Sequence, residues 1–196
     1  MIKFYKVREP YGHFSNFAPR PIRLDEKMWW TSEGYYQAKK RAGTLHEEVV
    51  RQLKLPSEAA AYGRRKDIPI RADWDDVKDE IMMTALRAKF NQHPDLRLVL
   101  LASGDQEIVE HSKNDSYWGD GGDGSGYNML GKLIMILRSE LRERKNMYGC
   151  TPCPKCGSEY RWPTQPIHPT DPNSILCDNC GFKEAFQPPW WKDDDS

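Results

Sequence analysis

Glu33, Tyr36, Gln37 and Lys40 follow the i, i+3, i+4, i+7 rule and therefore share one face of any helix that carries them. A carboxylate, a phenol, an amide and an amine on one rigid face can stabilise a cation, stack a ring, read a hydroxyl and bind or attack an electrophile. A merely solvated face would use the same residue types, so this line does not decide alone. A second constellation adds weight. Residues 114–128 set Asp115, Asp120 and Asp123, the carboxamides Asn114 and Asn128, and the neighbours Tyr117 and Trp118 among glycines, directly before an apolar helical pattern. Such a segment can bury little, and a surface turn rarely carries Tyr117 beside Trp118. It reads as a loop that lines a site, with Trp118 as a stacking face and the acids as chemistry. A third element, Gly63-Arg64-Arg65-Lys66, is a basic run able to hold phosphate through fork-like, charge-assisted hydrogen bonds. Together the three predict a site for a phosphorylated, aromatic, sugar-containing ligand.

The elements that must position these groups are mostly helical. Thr31 and Ser32 are N-cap candidates for the helix bearing Glu33. Apolar spacing predicts core helices over 74–92 and 128–144, a shorter one over 94–101, and another from Ser57 to near Gly63. Val77, Ile81, Ala85 and Phe90 should line the first, with Met82, Leu86 and Lys89 beside them. Leu130, Leu133, Ile134, Leu137 and Leu141 should line the second. Strands are expected at 2–7 and 21–24. The expected fold class is mainly α, an α+β domain with a few short strands over 1–147, followed by a small β-rich zinc ribbon over 148–196.

Bulk properties narrow the classes. The 196 residues suit one full domain and an appendage, and 29 basic against 29 acidic residues give no global basic field. The start lacks a signal-peptide core and no stretch is long enough to span a membrane, so cytoplasmic residence is expected.

All five cysteines lie in the last quarter. Cys153-Pro154-Lys155-Cys156-Gly157 and Cys177-Asp178-Asn179-Cys180-Gly181 are paired knuckles with twenty residues between them. Four thiolates at this spacing predict a closed, structural Zn²⁺ site, with metal binding of about 10 kcal/mol or more making up for a small core. Cys150 and His168 fit less well as ligands. The tail, with Trp190 and Trp191 before a run of acids, suits protein docking or packing back on the first domain better than phosphate binding.

Several segments resemble the NADAR (YbiA-like) family: Phe14-Ser15-Asn16-Phe17, the run from Trp30 through Glu33 to Ala38, Ala85-Leu86-Arg87-Ala88-Lys89-Phe90, residues 114–121, and Asn128 with Leu130-Gly131. The resemblance runs from about Phe4 to Leu141; Gly34 departs from it, where the family usually carries a larger residue. It implies an N-glycosidase that breaks the bond between ribose C1′ and a nitrogen, with no organic cofactor. The implied substrates are phosphoribosylamino-pyrimidine intermediates of riboflavin biosynthesis or ADP-ribosylated guanine in DNA, with single-stranded nucleic acid then a partner.

That chemistry needs a stabilised oxocarbenium ion, a protonated leaving nitrogen and a nucleophile. Glu33 is expected to serve the cation and the water. Asp115 or Asp120 would donate a proton if burial raises its pKa. Trp118, Tyr36 and Trp30 would hold the base, Gln37, Asn114 and Asn128 would read sugar or base edges, and Arg64 and Lys40 would hold phosphate. Asn16 and Gly119 join the site through the resembling segments. Lys40 could instead attack C1′ and form an imine. The rival is a non-catalytic reader of ADP-ribose-like ligands.

Overall fold

The computed structural model describes residues 1–147 and the strands Ser174–Leu176 and Lys183–Ala185. The chain divides into two compact units, Met1–Glu140 and Leu141–Ser196.

In the first unit, β1 (Ile2–Phe4) runs parallel to β4 (Ile108–Glu110), with Phe4 opposite Glu110. A parallel pair requires a crossover, and here it is most of the domain. The antiparallel hairpin of β2 (Ile22–Leu24) and β3 (Lys27–Trp29) turns through Asp25 and Glu26 at φ 53° and 59°. Two successive left-handed residues give a turn whose twist matches the strands. The Asp25 carboxylate holds that turn against Lys39 at 2.7 Å.

Helix α1 (Ser32–Lys39) packs against α2 (Leu45–Gln52), α3 (Pro56–Gly63) and α4 (Trp74–Gln92). The core beneath it joins Ile22, Trp29, Tyr35, Ala38, Val50, Ala59, Ala85 and Ala88. Alanines at these crossings let the helix axes approach. Being surrounded, α1 buries every residue from Ser32 to Ala38, polar ones included. Helices α5 (Pro94–Ala102) and α6 (Met129–Met147) complete the described helices, and α6 buries Leu130, Leu133, Ile134 and Leu137 as its spacing predicts. Among the described residues no helix is long and apolar enough to cross a membrane.

The expected elements recur with shifted ends. The first strand stops at Phe4, because a backbone turn from Glu9 N–H to Lys6 O follows it. The last helix begins at Met129, since Asn128 sits at φ 50°, outside helical space. Along α4, Ala85 and Phe90 are fully buried as expected, with Met82, Met83 and Leu86 buried beside them, while Val77 and Ile81 are half-buried. Strands β3 and β4 and helix α2 were not expected. Three-residue strands show no alternation, although Thr44 does cap α2 by accepting His46 N–H at 3.2 Å.

In the second unit, β5 (Ser174–Leu176) and β6 (Lys183–Ala185) pair antiparallel, Ser174 opposite Ala185. The expected zinc ligands Cys153, Cys156, Cys177 and Cys180, together with Cys150 and His168, lie outside the described residues.

Candidate active site

Glu33 is fixed from its backbone outwards. Thr31 caps α1, its hydroxyl accepting Gly34 N–H at 3.0 Å. The Asn16 carbonyl accepts Glu33 N–H at 3.2 Å, and the Asn16 side-chain oxygen accepts the Ser32 hydroxyl at 2.9 Å. Behind Asn16, the fully buried Lys89 amino group donates to Ser15 O at 2.8 Å and Phe14 O at 3.4 Å. Asn16 therefore backs the start of the helix. Gly34 leaves room for a larger residue, since a Cβ there would meet only the Thr31 hydroxyl at 3.5 Å.

The Glu33 carboxyl accepts the Gln37 side-chain N–H at 2.8 Å. Burial pushes its pKa up, and the nearby Asp115 does the same. Gln37, Lys40 and Arg64 pull the other way without cancelling the rise. Gln37 is thus engaged with Glu33 through its N–H, while its side-chain oxygen is buried with no hydrogen-bond partner among the described residues. Its other face is walled by Gly63, where a Cβ would stand 1.8 Å from the Gln37 side-chain oxygen. The expected phosphate run splits in two. Arg65 pairs with Asp67, and buried Arg41 donates to the carbonyls of Arg65 and Ile68 at 2.9 Å each. The Arg64 guanidinium is left in the field of Glu33 and Lys40, with no hydrogen-bond or ion-pair partner among the described residues.

An aromatic wall borders these charges. Tyr36 meets Trp74 at 5.0 Å and the edge of Trp118 at 5.4 Å between ring centroids. The Lys40 ammonium lies over Tyr36 and Trp74, 5.6 Å from each centroid. Burial lowers the Lys40 pKa, Glu33 opposes that, and Arg41 and Arg64 add to it. Trp30 takes no part in this wall. Its exposed ring meets the Lys54 ammonium at 5.3 Å. Asn114 is exposed as well.

The glycine-rich loop uses most of its polar groups on itself. One Asp115 oxygen accepts the N–H groups of Tyr117 (3.0 Å) and Trp118 (2.8 Å). Gly119 is compressed, a Cβ there coming within 2.8 Å of Asp115 O. Asn128 donates to Ile108 O at 2.9 Å and accepts Glu110 N–H at 3.0 Å, so it clamps β4. The first turn of α6 donates into the loop as well, Met129 to Tyr117 O and Leu130 to Trp118 O. Asp120 accepts from His111 Nδ1 and from Gly122 N–H, both at 2.8 Å. Burial raises its pKa, but His111 and the Gly122 N–H outweigh that and hold it below the usual carboxylate range. The expectation of a proton donor at Asp120 is therefore corrected: it is an ionised brace.

Sequence reasoning missed two residues. Trp74 joins the aromatic wall, and Glu110 ends β4 with a carboxyl pushed up to about 8 by burial and then by Asp115, Glu33 and Asp120. A lone Glu closing a three-residue strand carries no pattern that could have marked it. The site thus gathers Glu33, Gln37, Lys40, Arg64, Tyr36, Trp118 and Asp115, with Trp74 and Glu110 added. A separate cleft of about 300 Å³, lined by Lys3, Val109, Asp120, Tyr127 and Lys132 among others, contains none of these nine residues. Side chains alternate along a strand, so Val109 opens on that cleft while Glu110 points away from it.

The NADAR domain family model matches residues 3–142. The chain is 48% identical to N-glycosidase YbiA of Escherichia coli (strain K12) over 145 residues, covering 74% of this chain and 91% of that protein. It is 44% identical to an N-glycosidase of Nostoc punctiforme over 151 residues, covering 76% and 97% respectively. A riboflavin biosynthesis protein of Vibrio vulnificus is 41% identical over 142 residues, 72% of this chain but 39% of that longer protein. The NMR structure of E. coli YbiA superposes with a TM-score of 0.70, at 48% identity, over 74% of this chain and 86% of that one.

Proposed function

The chain belongs to the NADAR domain family, and on that premise we propose that it is an N-glycosidase cleaving the C1′–N bond of a phosphorylated ribosyl substrate. The observation that carries this reading is the buried Glu33 carboxyl, held by Gln37 between Lys40 and Arg64 and bordered by Tyr36 and Trp118. As C1′–N breaks, positive charge gathers on C1′ and the ring oxygen. A desolvated carboxylate in a site of low dielectric stabilises it, and can take a proton from the attacking water. Trp118 and Tyr36 supply the apolar bed for the base. Arg64, lacking an ion-pair partner among the described residues, is suited to the phosphate. The lowered pKa of Lys40 also suits an imine route through C1′.

For substrate we propose a phosphoribosylamino-pyrimidine, in keeping with the riboflavin biosynthesis protein of Vibrio vulnificus among the relatives. ADP-ribosylated guanine in DNA is the other outcome of the test. The test measures ribose-product release from both substrates, using wild type and Glu33→Gln. Turnover of the pyrimidine alone, lost in the variant, is expected. Turnover of the DNA alone would reassign the substrate, and release from neither, with ligand still bound, would make the domain a reader.

We also propose cytoplasmic residence and a structural Zn²⁺ held by Cys153, Cys156, Cys177 and Cys180. The donor set suits it, being four soft thiolates in two pairs, and the segment between β5 and β6 carries one of those pairs. No catalytic step runs through the metal. One zinc per chain by elemental analysis, with glycosidase activity surviving its removal from the second unit, is the expected result. A docking role for that unit, on protein or single-stranded nucleic acid, would show as partner binding lost with the metal.

A further inference from the structure

Tyr36 and Trp118 belong to a closed circuit of side chains that begins and ends on α4. Trp74 and Lys78 stand four residues apart, so they share one face of that helix. Trp74 meets Tyr36 at 5.0 Å between centroids, Tyr36 meets Trp118 at 5.4 Å, and Trp118 meets Tyr117 at 5.2 Å. The last two pairs lie at 84° and 86°, the near-perpendicular arrangement that aromatic rings favour. The Lys78 ammonium then covers the Tyr117 ring, 4.4 Å from its centroid, and is itself held by Asp75 at 2.8 Å. Finally the Tyr117 hydroxyl shares its proton between both Asp79 oxygens, at 2.9 and 3.0 Å, which returns the circuit to α4.

The main chain beside Trp118 is tied by other means. Asp115 takes the N–H groups of Tyr117 and Trp118, and α6 donates to their carbonyls. Those bonds fix the course of the loop but not the direction of the indole, which is half-buried and free to turn about its side-chain bonds. Direction comes from the rings on either side of it. Tyr36 is buried on a helix, so that side is rigid. Tyr117 is only half-buried, and its far end is fixed by the Asp79 carboxylate through a charge-assisted hydrogen bond.

We propose that Asp79, acting through the Tyr117 hydroxyl, is a positioning residue that closes this circuit and sets the affinity of the site for the base half of its substrate. The inference rests on the N-glycosidase reading above, in which Trp118 and Tyr36 bed the base. Asp79 and Tyr117 touch no reacting atom. The base is stacked equally before and during bond breaking, so a slackened wall raises KM and leaves kcat in place. Arg64, at the phosphate end, stands outside the circuit, so a ligand without the base should bind as before.

The test measures KM and kcat on whichever of the two substrates above the wild type cleaves, together with inhibition by its sugar product, ribose 5-phosphate or ADP-ribose. Tyr117→Phe and Asp79→Ala are each expected to raise KM about 10-fold, with kcat and the inhibition constant of the sugar product within about 2-fold of wild type. The double variant should be no worse than either single one, because both break the same link. Asp79→Asn, which still offers the phenol an acceptor, should recover most of the loss. Equal weakening of substrate and sugar product, an unchanged KM, or additive losses in the double variant would overturn the proposal. A wild type that cleaves neither substrate overturns the N-glycosidase reading alone. Calorimetric Kd values for the intact phosphoribosylamino-pyrimidine and for ribose 5-phosphate then judge the circuit by the same ratio, and binding of neither overturns it as well.

Discussion

On α1, the polar side chains that share a face turn inward without being satisfied by main chain. Glu33 has only the Gln37 amide, and Lys40 rests over aromatic rings with no hydrogen-bond acceptor among the described residues. In the loop at 114–128, the carboxylates close turns. Asp115 takes two backbone N–H groups, Asp120 one plus an imidazole, and Asp123 the N–H and hydroxyl of Ser125. Where the accepted N–H groups hold the carboxyl ionised, as at Asp120 and Asp123, the acid serves as a mechanical part. One that is stripped of water and left nearly unpaired is held at high energy and is reactive. The partners of an acid, more than its type or its neighbours in sequence, separate chemistry from scaffolding. The largest effect should therefore come from α1. Glu33→Gln is expected to reduce kcat by about 10³-fold, within the range for a positioned acid–base group, and to leave thermal stability equal or higher. Ribose release and a melting curve on the same preparation check both halves.

Two lysines extend the contrast to the opposite charge. Lys40 is lowered in pKa at the site, whereas Lys89 is lowered to about 7 in the core and engaged with Ser15 and Phe14 carbonyls. Burial is the main cause for Lys89. Between pH 7 and about 10, the unfolded chain keeps that proton while the folded protein has lost it. Stability from this group therefore rises with pH across the window, by at most about 1.4 kcal/mol per unit, and is lost as pH falls through 7. Denaturant titrations at a series of pH values should show that slope in wild type and not in Lys89→Met.

Within the loop the effects should appear as stability. Asn128→Ala removes one donor and one acceptor from the buried edge of β4, leaving Ile108 O and Glu110 N–H unpaired. The expected cost is about 2–3 kcal/mol, read as a lower denaturation midpoint with an unchanged slope. A loss confined to kcat would break the comparison, because it would make Asn128 a site residue after all.

How much of this was legible depended on what each residue needed. The line through Glu33, Tyr36, Gln37 and Lys40 was visible because helical spacing is a sequence property, and the Thr31 cap that starts it was visible for the same reason. The helices α4 and α6 were long and periodic enough to declare themselves. Asp120 was misjudged, and the clamp that Asn128 puts on β4 was hidden, because composition marks a polar residue without saying whether a backbone group has already claimed it. Glu110 was invisible because its character comes from burial and then from three carboxylates that only the fold brings near. Lys89 stood beside an apolar stripe, but nothing local told that its amine would end on two carbonyls more than seventy residues away.

Gly63 offers the finest cut between the two kinds of region, because it touches both α3 and the chemistry. A Cβ there would stand 1.8 Å from the Gln37 side-chain oxygen and 2.6 Å from the carbon that bears it. These atoms form the end of a movable side chain, so the cheapest response is rotation of Gln37, not disruption of the helix packing. Rotation takes its N–H away from Glu33, which then loses the one hydrogen bond that favours its anion. Gly63→Ala should therefore lower kcat by about 10-fold, equivalent to the roughly 1.4 kcal/mol expected of one hydrogen bond to a charged group, with the melting temperature little changed. The pH at which activity rises should move upward as well, because the carboxyl now ionises with more difficulty. A melting temperature that collapses instead, with the remaining folded enzyme fully active, would put Gly63 with the scaffold and show that Gln37 holds Glu33 by packing alone.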